Sequence, residues 1–342
     1  MKKTILALTI PALFATSASA VTVYSDEGAK VDLYGRIQYE AGSFKHEGAD
    51  RQKFGGEGEA RLGVNVQYNL NQDVDLIGKL EWQAVAEEKN ATGTDSLKSR
   101  YAWAGFRFMD TTDLTFGKSE NPTAQLTDVT DIFNIFGGAA SFNSLDDAGI
   151  SSRIDDQIRV SFADQGIDLR AGYAFHDENK TRVAGEKQKN QYSLSAGYTF
   201  PFNLGLVAAY ERQNYDLLVG EADLDVWGLG ANYSIDGFYF GTVYGQKDLD
   251  ATGEEDYGTR FWELVATYNV DAWTLMAGYN YEKERKVGAG ESKDKLVNEY
   301  VLGVQYALTP KTKLYGEYNI QRTKVADERK DDLYAVGIQY NF

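Results

Sequence analysis

The chain contains no cysteine. No disulfide holds it together, and no thiolate metal site is available. Proline is scarce: beyond residue 20 only Pro122, Pro201 and Pro310 remain. Each falls between segments with a strand pattern, never inside one, where it would delete a ladder hydrogen bond. There are two histidines, His46 and His176, both in polar stretches without a serine or aspartate partner pattern. That absence argues against a hydrolytic enzyme. No apolar run reaches about 18 residues, so no transmembrane helix is offered. Basic residues number 35 against 51 acidic ones, which argues against a nucleic-acid partner. No phosphate-cradling glycine loop, nucleotide motif or Cys/His cluster occurs, so no cofactor or metal is expected. Asp248-x-Asp250 is a weak divalent-ion pattern, and a lone pair of this kind in a loop is ordinarily solvated.

What is present begins with an export signal. Lys2 and Lys3 precede an apolar run from Thr4 to Ala15, and Ala18-Ser19-Ala20 is a small-x-small cleavage site. Residues 1–20 read as a secretory signal peptide and 21–342 as the mature chain. Removing the two lysines takes the net charge from −16 to −18. The chain holds 23 Tyr, 17 Phe and 34 Gly, a composition suited to a secreted β protein or to an outer-membrane barrel.

Periodicity decides between them. In KVDLYGRIQYEA, Val31, Leu33, Gly35, Ile37, Tyr39 and Ala41 alternate with Lys30, Asp32, Tyr34, Arg36, Gln38 and Glu40. Alternate side chains of a strand face opposite sides, so one face is apolar or small and the other polar. ARLGVNVQYNL and VDLIGKLEWQA read the same way. Sixteen such segments begin near residues 30, 57, 73, 96, 112, 152, 166, 189, 204, 224, 237, 258, 272, 295, 311 and 331. Tight turns such as Asp236-Gly237 alternate with long acidic loops, for example His176 to Lys187 and Lys247 to Tyr257. Aromatics gather at strand ends, as at Tyr198, Phe200, Tyr340 and Phe342, where a membrane–water interface would place them. The pattern predicts an all-β, 16-stranded antiparallel transmembrane barrel with both chain ends on the short-turn rim. A soluble sandwich would leave the alternation of loop lengths unexplained.

One segment does not fit. Residues 119–151 carry no strand pattern, yet TDIFNIFGG within them holds Ile132, Phe133, Ile135 and Phe136 beside Gly137-Gly138. Irregular backbone at membrane depth is tolerated only against protein or a water-filled cavity. A surface loop with its own small core would satisfy the same residues.

KVDLYGR, EARLG, SRYAWAGF, TDIFNIFGG and the terminal Phe342, in that order, resemble the general diffusion porins of Gram-negative bacteria, nearest to the Vibrio and Photobacterium type. The resemblance covers the whole mature chain. It implies a homotrimer in the outer membrane, in contact with lipid and lipopolysaccharide, passing small hydrophilic solutes by passive diffusion. It implies that 119–151 is an inward-folded constriction loop, with Phe133 and Phe136 packed on the wall and Gly137 and Gly138 allowing the return. It implies a basic ladder of Arg36, Arg61, Arg100 and Arg153 on the wall, faced by Asp131 on the loop. The family's second loop acid corresponds to Ile135 here and its proline to Asn134, which leaves Asp128, Asp146 or Asp147 as substitutes. Acidic outer loops, such as Glu254-Glu255-Asp256 and Asp327-Glu328, favour a mild cation preference. Two other functions fit the same barrel. A sugar-selective channel would use lumen aromatics such as Tyr34, Phe106 and Tyr315, and an adhesin or phage receptor would use the outer loops.

Overall fold

The computed structural model describes residues 20–43, 54–85, 96–142, 150–175, 187–288, 293–325, 328–329 and 331–342. His46, His176, Asp146, Asp147, Asp327 and nearly all of the signal segment lie outside them. The elements in chain order are β1 (Val21–Asp26), β2 (Ala29–Ser43), β3 (Gly55–Asn71), β4 (Val74–Val85), β5 (Ser96–Phe108), β6 (Thr112–Glu120), α1 (Ala124–Thr127), β7 (Arg153–Asp164), β8 (Ile167–Ala174), β9 (Lys187–Thr199), β10 (Leu204–Asp216), β11 (Glu221–Ile235), β12 (Phe238–Ala251), β13 (Tyr257–Val270), β14 (Trp273–Lys286), β15 (Lys295–Thr309), β16 (Thr312–Gln321), β17 (Lys324–Val325), β18 (Glu328–Arg329) and β19 (Leu333–Asn341).

Neighbours in sequence pair antiparallel from β2 to β16, then β19. β19 pairs back onto β2, from Tyr334↔Ser43 to Asn341↔Arg36, and closes a sixteen-stranded barrel. All sixteen expected segments are there. β1 was not legible in the pattern. It folds against Ala29–Leu33 of β2, on the edge that β19 leaves free, so β19 and β1 together line one side of β2. Phe342 joins them, exchanging two backbone hydrogen bonds of 3.0 Å with Gly35. The Asn341 amide bonds the Lys311 carbonyl in a tight turn, which puts the C-terminus on the short-turn rim. Three two-residue hairpin turns have both residues in the left-handed region, Glu27-Gly28, Gln165-Gly166 and Asp236-Gly237, and the three-residue turn after β5 has Met109 and Asp110 there. Two-residue hairpin turns that match strand twist require this.

The burial is inside out for a soluble protein. Glu211, Gln213, Glu263 and Glu282 are wholly buried, whereas Leu229 and Leu302 are more than half exposed. Exposing so much apolar surface to water would be costly at roughly 25 cal/mol per Å². A lipid surround removes that cost, and the inward polar face encloses the lumen. Two expectations need correction. The stretch from Lys247 to Tyr257 is not a long loop, because β12 continues to Ala251 and only Thr252–Asp256 connect it to β13. Lys247 is buried inside, within 3.2 Å of Glu282. Alternation persists there but is inverted, with Asp248 and Asp250 outward and the buried Leu249 inward, which hides a strand from a search for outward apolar stripes. Phe106 faces outward, opposite Leu76. A bulge at Arg100 shifts the β4–β5 register, so Arg100 and Tyr101 both project inward and every later residue of β5 changes side.

Candidate functional site

The loop between β6 and β7 spans 121–152, because Ser119 and Glu120 still pair with Ile154 and Arg153. Its described part lies against the inner wall from β8 to β16. Three wall glutamates hold it. Glu211 on β10 accepts from Asn121 Nδ2 at 2.6 Å and Thr123 Oγ1 at 2.8 Å. Glu263 on β13 accepts from Thr130 Oγ1 at 2.6 Å and from the amides of Ala140 and Ser141 at 3.1 and 2.8 Å. Glu317 on β16 accepts from the amides of Asn134, Ile135 and Phe136 at 2.6, 3.1 and 2.9 Å. An irregular segment has backbone donors that no ladder satisfies, and these carboxylates take that role. Lys247 and Lys313 complete the attachment, donating to the Ala140 carbonyl at 2.9 Å and to Asn134 Oδ1 at 2.5 Å.

Apolar contacts fix the depth. Leu126 on the single turn α1 and Val129 just after it are buried in an apolar cluster with Val207, Leu224 and Phe261 of the wall. Leu126 packs over Gly228 and Gly230 of β11. Phe133 packs on Gly278 of β14, where a Cβ would come within 2.6 Å of Phe133 Cε2. Ile132, Ile135 and Phe136 are only half-buried. Gly138 adopts φ +65 and turns the chain, while Gly137 has no positive φ. Gly241 permits the closest approach, since a side chain there would run into the Val129 carbonyl oxygen. Gly241→Val is expected to lift the Leu126–Thr130 segment off the wall. Single-channel recordings would then give a noisier current than the wild type, with the heat stability of the barrel little changed.

Opposite the loop, the four expected arginines do come together on the inward face, but they are not a bare basic ladder. Arg36 and Arg61 are direct cross-strand neighbours. Like charges so placed repel, and Glu59 resolves it, lying 2.6 Å from Arg36 Nη2 and 2.8 Å from Arg61 Nε. Gln83 donates to Glu59 at 2.7 Å and accepts from Arg61 and Arg100 at 3.0 and 2.8 Å. Arg100 Nε meets Glu81 at 2.5 Å, and Tyr34 Oη donates to the same carboxylate at 2.8 Å. The bulge that turns Arg100 inward makes this contact possible. Arg153 lies over the Tyr101 ring at 5.5 Å, and Lys79 over the same ring at 4.1 Å. Neither makes an ion pair among the described residues.

Asp131 is exposed to the lumen and makes no ion pair among the described residues. Partial desolvation inside the barrel and the nearby Glu263 carboxylate push its pKa up, while Arg153, Arg36 and Arg61 act in the opposite sense. It therefore feels three of the four arginines across the gap. Asp128 is turned away: its Oδ2 is buried without a hydrogen-bond partner, and burial together with Glu120 holds it well above the usual carboxylate range.

A closed barrel of sixteen strands, apolar outside and polar within, with a loop drawn against its inner wall, is a channel architecture. The sequence matches the Gram-negative porin family over residues 7–327. The chain belongs to that family. Among curated relatives, this porin is 25% identical to outer membrane porin protein OmpD of Salmonella typhimurium strain LT2 and 26% identical to outer membrane porin PhoE of Klebsiella oxytoca, each alignment covering all of both chains. Among solved structures, it superposes on Salmonella typhi OmpF in complex with daunomycin at TM-score 0.79, with 19% identity, covering 94% of this chain and all of that one. It superposes on the trimer form of Vibrio cholerae OmpT at 0.71, with 19% identity over 92% of this chain and all of that one. The porin resides in the outer membrane and forms a water-filled channel for passive diffusion of ions and small hydrophilic solutes.

Sequence reasoning missed Glu59, Glu81, Lys79 and Tyr101 on the arginine side of this porin, and Glu211, Glu263 and Glu317 on the loop side. A signal was available. Each glutamate stands at a lumen-facing position well inside its strand, where an acid has no solvated loop to explain it.

Proposed function

We propose that the loop and the arginine wall form the selectivity constriction of the channel. Arg36, Arg61, Arg100 and Arg153 line one side and Asp131 the other. The observation that carries this reading is the set of hydrogen bonds that Glu263 and Glu317 accept from the loop, with Asp131 between them, exposed and without an ion pair among the described residues. Arginine keeps its charge at any physiological pH. Opposed charges ~10 Å apart at an effective dielectric of ~20 interact by roughly 1–2 kcal/mol, enough to bias passage without trapping a solute. Confined water aligns in such a field. A polar solute exchanges hydration for these charges, whereas an apolar one must displace ordered water and gains nothing.

The acidic outer mouth concentrates cations, and Lys79 and Arg153 oppose them further in, which gives a weak net cation preference. Ile135 brings no acid to the loop, but Glu317 supplies one from the wall beside it. Phe133 and Phe136, with Gly137 and Gly138, act as packing and turning elements of the loop. No enzymatic role is proposed. A sugar-selective slide is disfavoured, since Phe106 faces lipid and the hydroxyls of Tyr34 and Tyr315 are tied to Glu81 and Glu40. Residues 1–20 serve as the export signal and 21–342 as the barrel. The functional unit is a homotrimer seated among outer-membrane lipid and lipopolysaccharide.

Asp131→Asn tests the constriction. A raised pKa means that acid removes this charge at a higher pH than for an ordinary carboxylate. Reversal potentials of the wild type should therefore shift toward anions as pH falls, beginning above the usual carboxylate range. The Asn variant should start shifted and lose that part of the pH response. An unchanged reversal potential at neutral pH would remove Asp131 from the filter.

A further inference from the structure

Four of the five tryptophans stand on the outward face. Trp227, Trp262 and Trp273 are exposed there, and Trp82 is directly opposite the exposed Leu62. An interfacial belt accounts for such rings. Trp103 is different. It pairs directly with Lys79 of β4, whose ammonium lies over the lumen rings of Tyr34 and Tyr101, so Trp103 faces inward with them. The bulge at Arg100 puts it there, since without that extra residue β5 would turn the indole toward lipid.

The Trp103 indole is half-buried and makes no hydrogen bond and no ring contact among the described residues. The positions around it keep it uncovered. Gly105 is next on the same face of β5. Its partner on β6 is Gly117, at φ +114, where a Cβ would stand 2.4 Å from the Ala102 carbonyl oxygen, so no side chain fits. A lumen-facing ring with two glycine neighbours offers a flat apolar surface to a passing solute.

The charge beside this ring is positive. Lys79 Nζ lies 4.1 Å and the Arg153 guanidinium 5.5 Å from the Tyr101 ring centroid, and neither makes an ion pair among the described residues. The neighbouring carboxylates are engaged, Glu81 by Arg100 and Tyr34, and Glu120 by Arg159 and Arg170. Two uncompensated cations next to a free aromatic face suit a planar ring that carries an acid group, through stacking and charge-assisted hydrogen bonds. They suit a sugar poorly, because its hydroxyls need acceptors and these carboxylates are taken. We propose that Trp103, Tyr101, Lys79 and Arg153 form a subsite beside the arginine wall that transiently binds aromatic carboxylates crossing the channel. This rests on the constriction reading above and deepens it by naming a solute class.

The test records single channels of the folded full-length protein in potassium chloride, with benzoate, benzamide or cyclohexanecarboxylate added. Benzamide keeps the ring without the charge, and cyclohexanecarboxylate keeps the charge without the flat ring. Benzoate is expected to lower the current saturably at roughly millimolar concentration, weak enough for the solute to leave. Cyclohexanecarboxylate should need roughly three- to tenfold more, and benzamide at least about tenfold more. Trp103→Leu should keep the ohmic chloride steps and bring benzoate to the level of cyclohexanecarboxylate, whereas Trp103→Phe should keep most of the difference. Should the Leu variant yield no channels, Lys79→Gln takes its place and should bring benzoate to the level of benzamide. Equal block by all three compounds, a current that falls without saturation, or a benzoate preference that survives in the tested variant overturns the subsite. The reversal potential of Asp131→Asn reports on the constriction separately, so failure of one reading is distinguishable from failure of the other.

Discussion

Glu317→Ala releases the tip of the constriction loop. The substitution leaves the amides of Asn134, Ile135 and Phe136 without their acceptor. It also removes the partner of Asn134 Nδ2 at 3.1 Å. An unsatisfied buried donor costs about 1–3 kcal/mol. Lumen water reaches part of this segment, so the lower end applies, and three donors together give on the order of 3 kcal/mol. That is more than a hundredfold in the equilibrium between seated and displaced loop. The barrel ladder itself is untouched, so folding and heat stability should change little. The expected phenotype lies in the current: larger, fluctuating open levels and faster uptake of solutes near the size limit. Glu317→Gln keeps an acceptor oxygen and should sit between wild type and the alanine variant. Glu263→Ala should add to the effect, since Glu263 holds Thr130, Ala140 and Ser141 on the other side of the tip.

Neutralising Lys79 or Arg153 should shift ion selectivity more than neutralising Arg36 or Arg61. The ladder pairs share Glu59, so removing one of those arginines leaves a carboxylate still compensated by the other. Lys79 and Arg153 flank Tyr101 with no ion pair among the described residues. Each uncompensated charge acts on a passing ion with about 1 kcal/mol once salt screening is allowed for. Lys79→Gln or Arg153→Gln alone is therefore expected to move the cation-to-anion permeability ratio several-fold toward cations. Arg36→Gln should move it only slightly. Reversal potentials in a salt gradient measure both. Equal shifts from the two substitutions would mean that Glu59 does not screen its arginines as the geometry indicates.

Most of the fold could be read from the sequence because a barrel writes its two faces at a period of two residues. All sixteen wall strands carried that mark. β1 did not, because VTVYSD is short and exposed throughout. The upper half of β12 did not either, because its outward face becomes polar while Leu249 is buried inward. Phe106 was assigned to the wrong side, since alternation counts parity and a bulge at Arg100 changes parity without leaving a residue-type signal. The arginines and Asp131 were visible through family resemblance. Glu59 and Glu81, which compensate the arginines, were not, because pairing depends on register and register is a property of two strands. The loop's anchors illustrate the same point. TDIFNIFGG draws attention to Phe133 and Phe136, whereas Leu126 and Val129, four to ten positions earlier and unremarkable in the sequence, are buried more deeply.

The central claim is a permanently open, water-filled barrel narrowed by an inward loop. Single-channel conductance of the purified, unheated protein in a planar bilayer under a salt gradient tests it most directly. The account predicts large ohmic steps that rise in proportion to salt concentration, grouped in threes, with a small cation-directed reversal potential. Currents that are absent, or that saturate and are blocked by micromolar oligosaccharide, would contradict it.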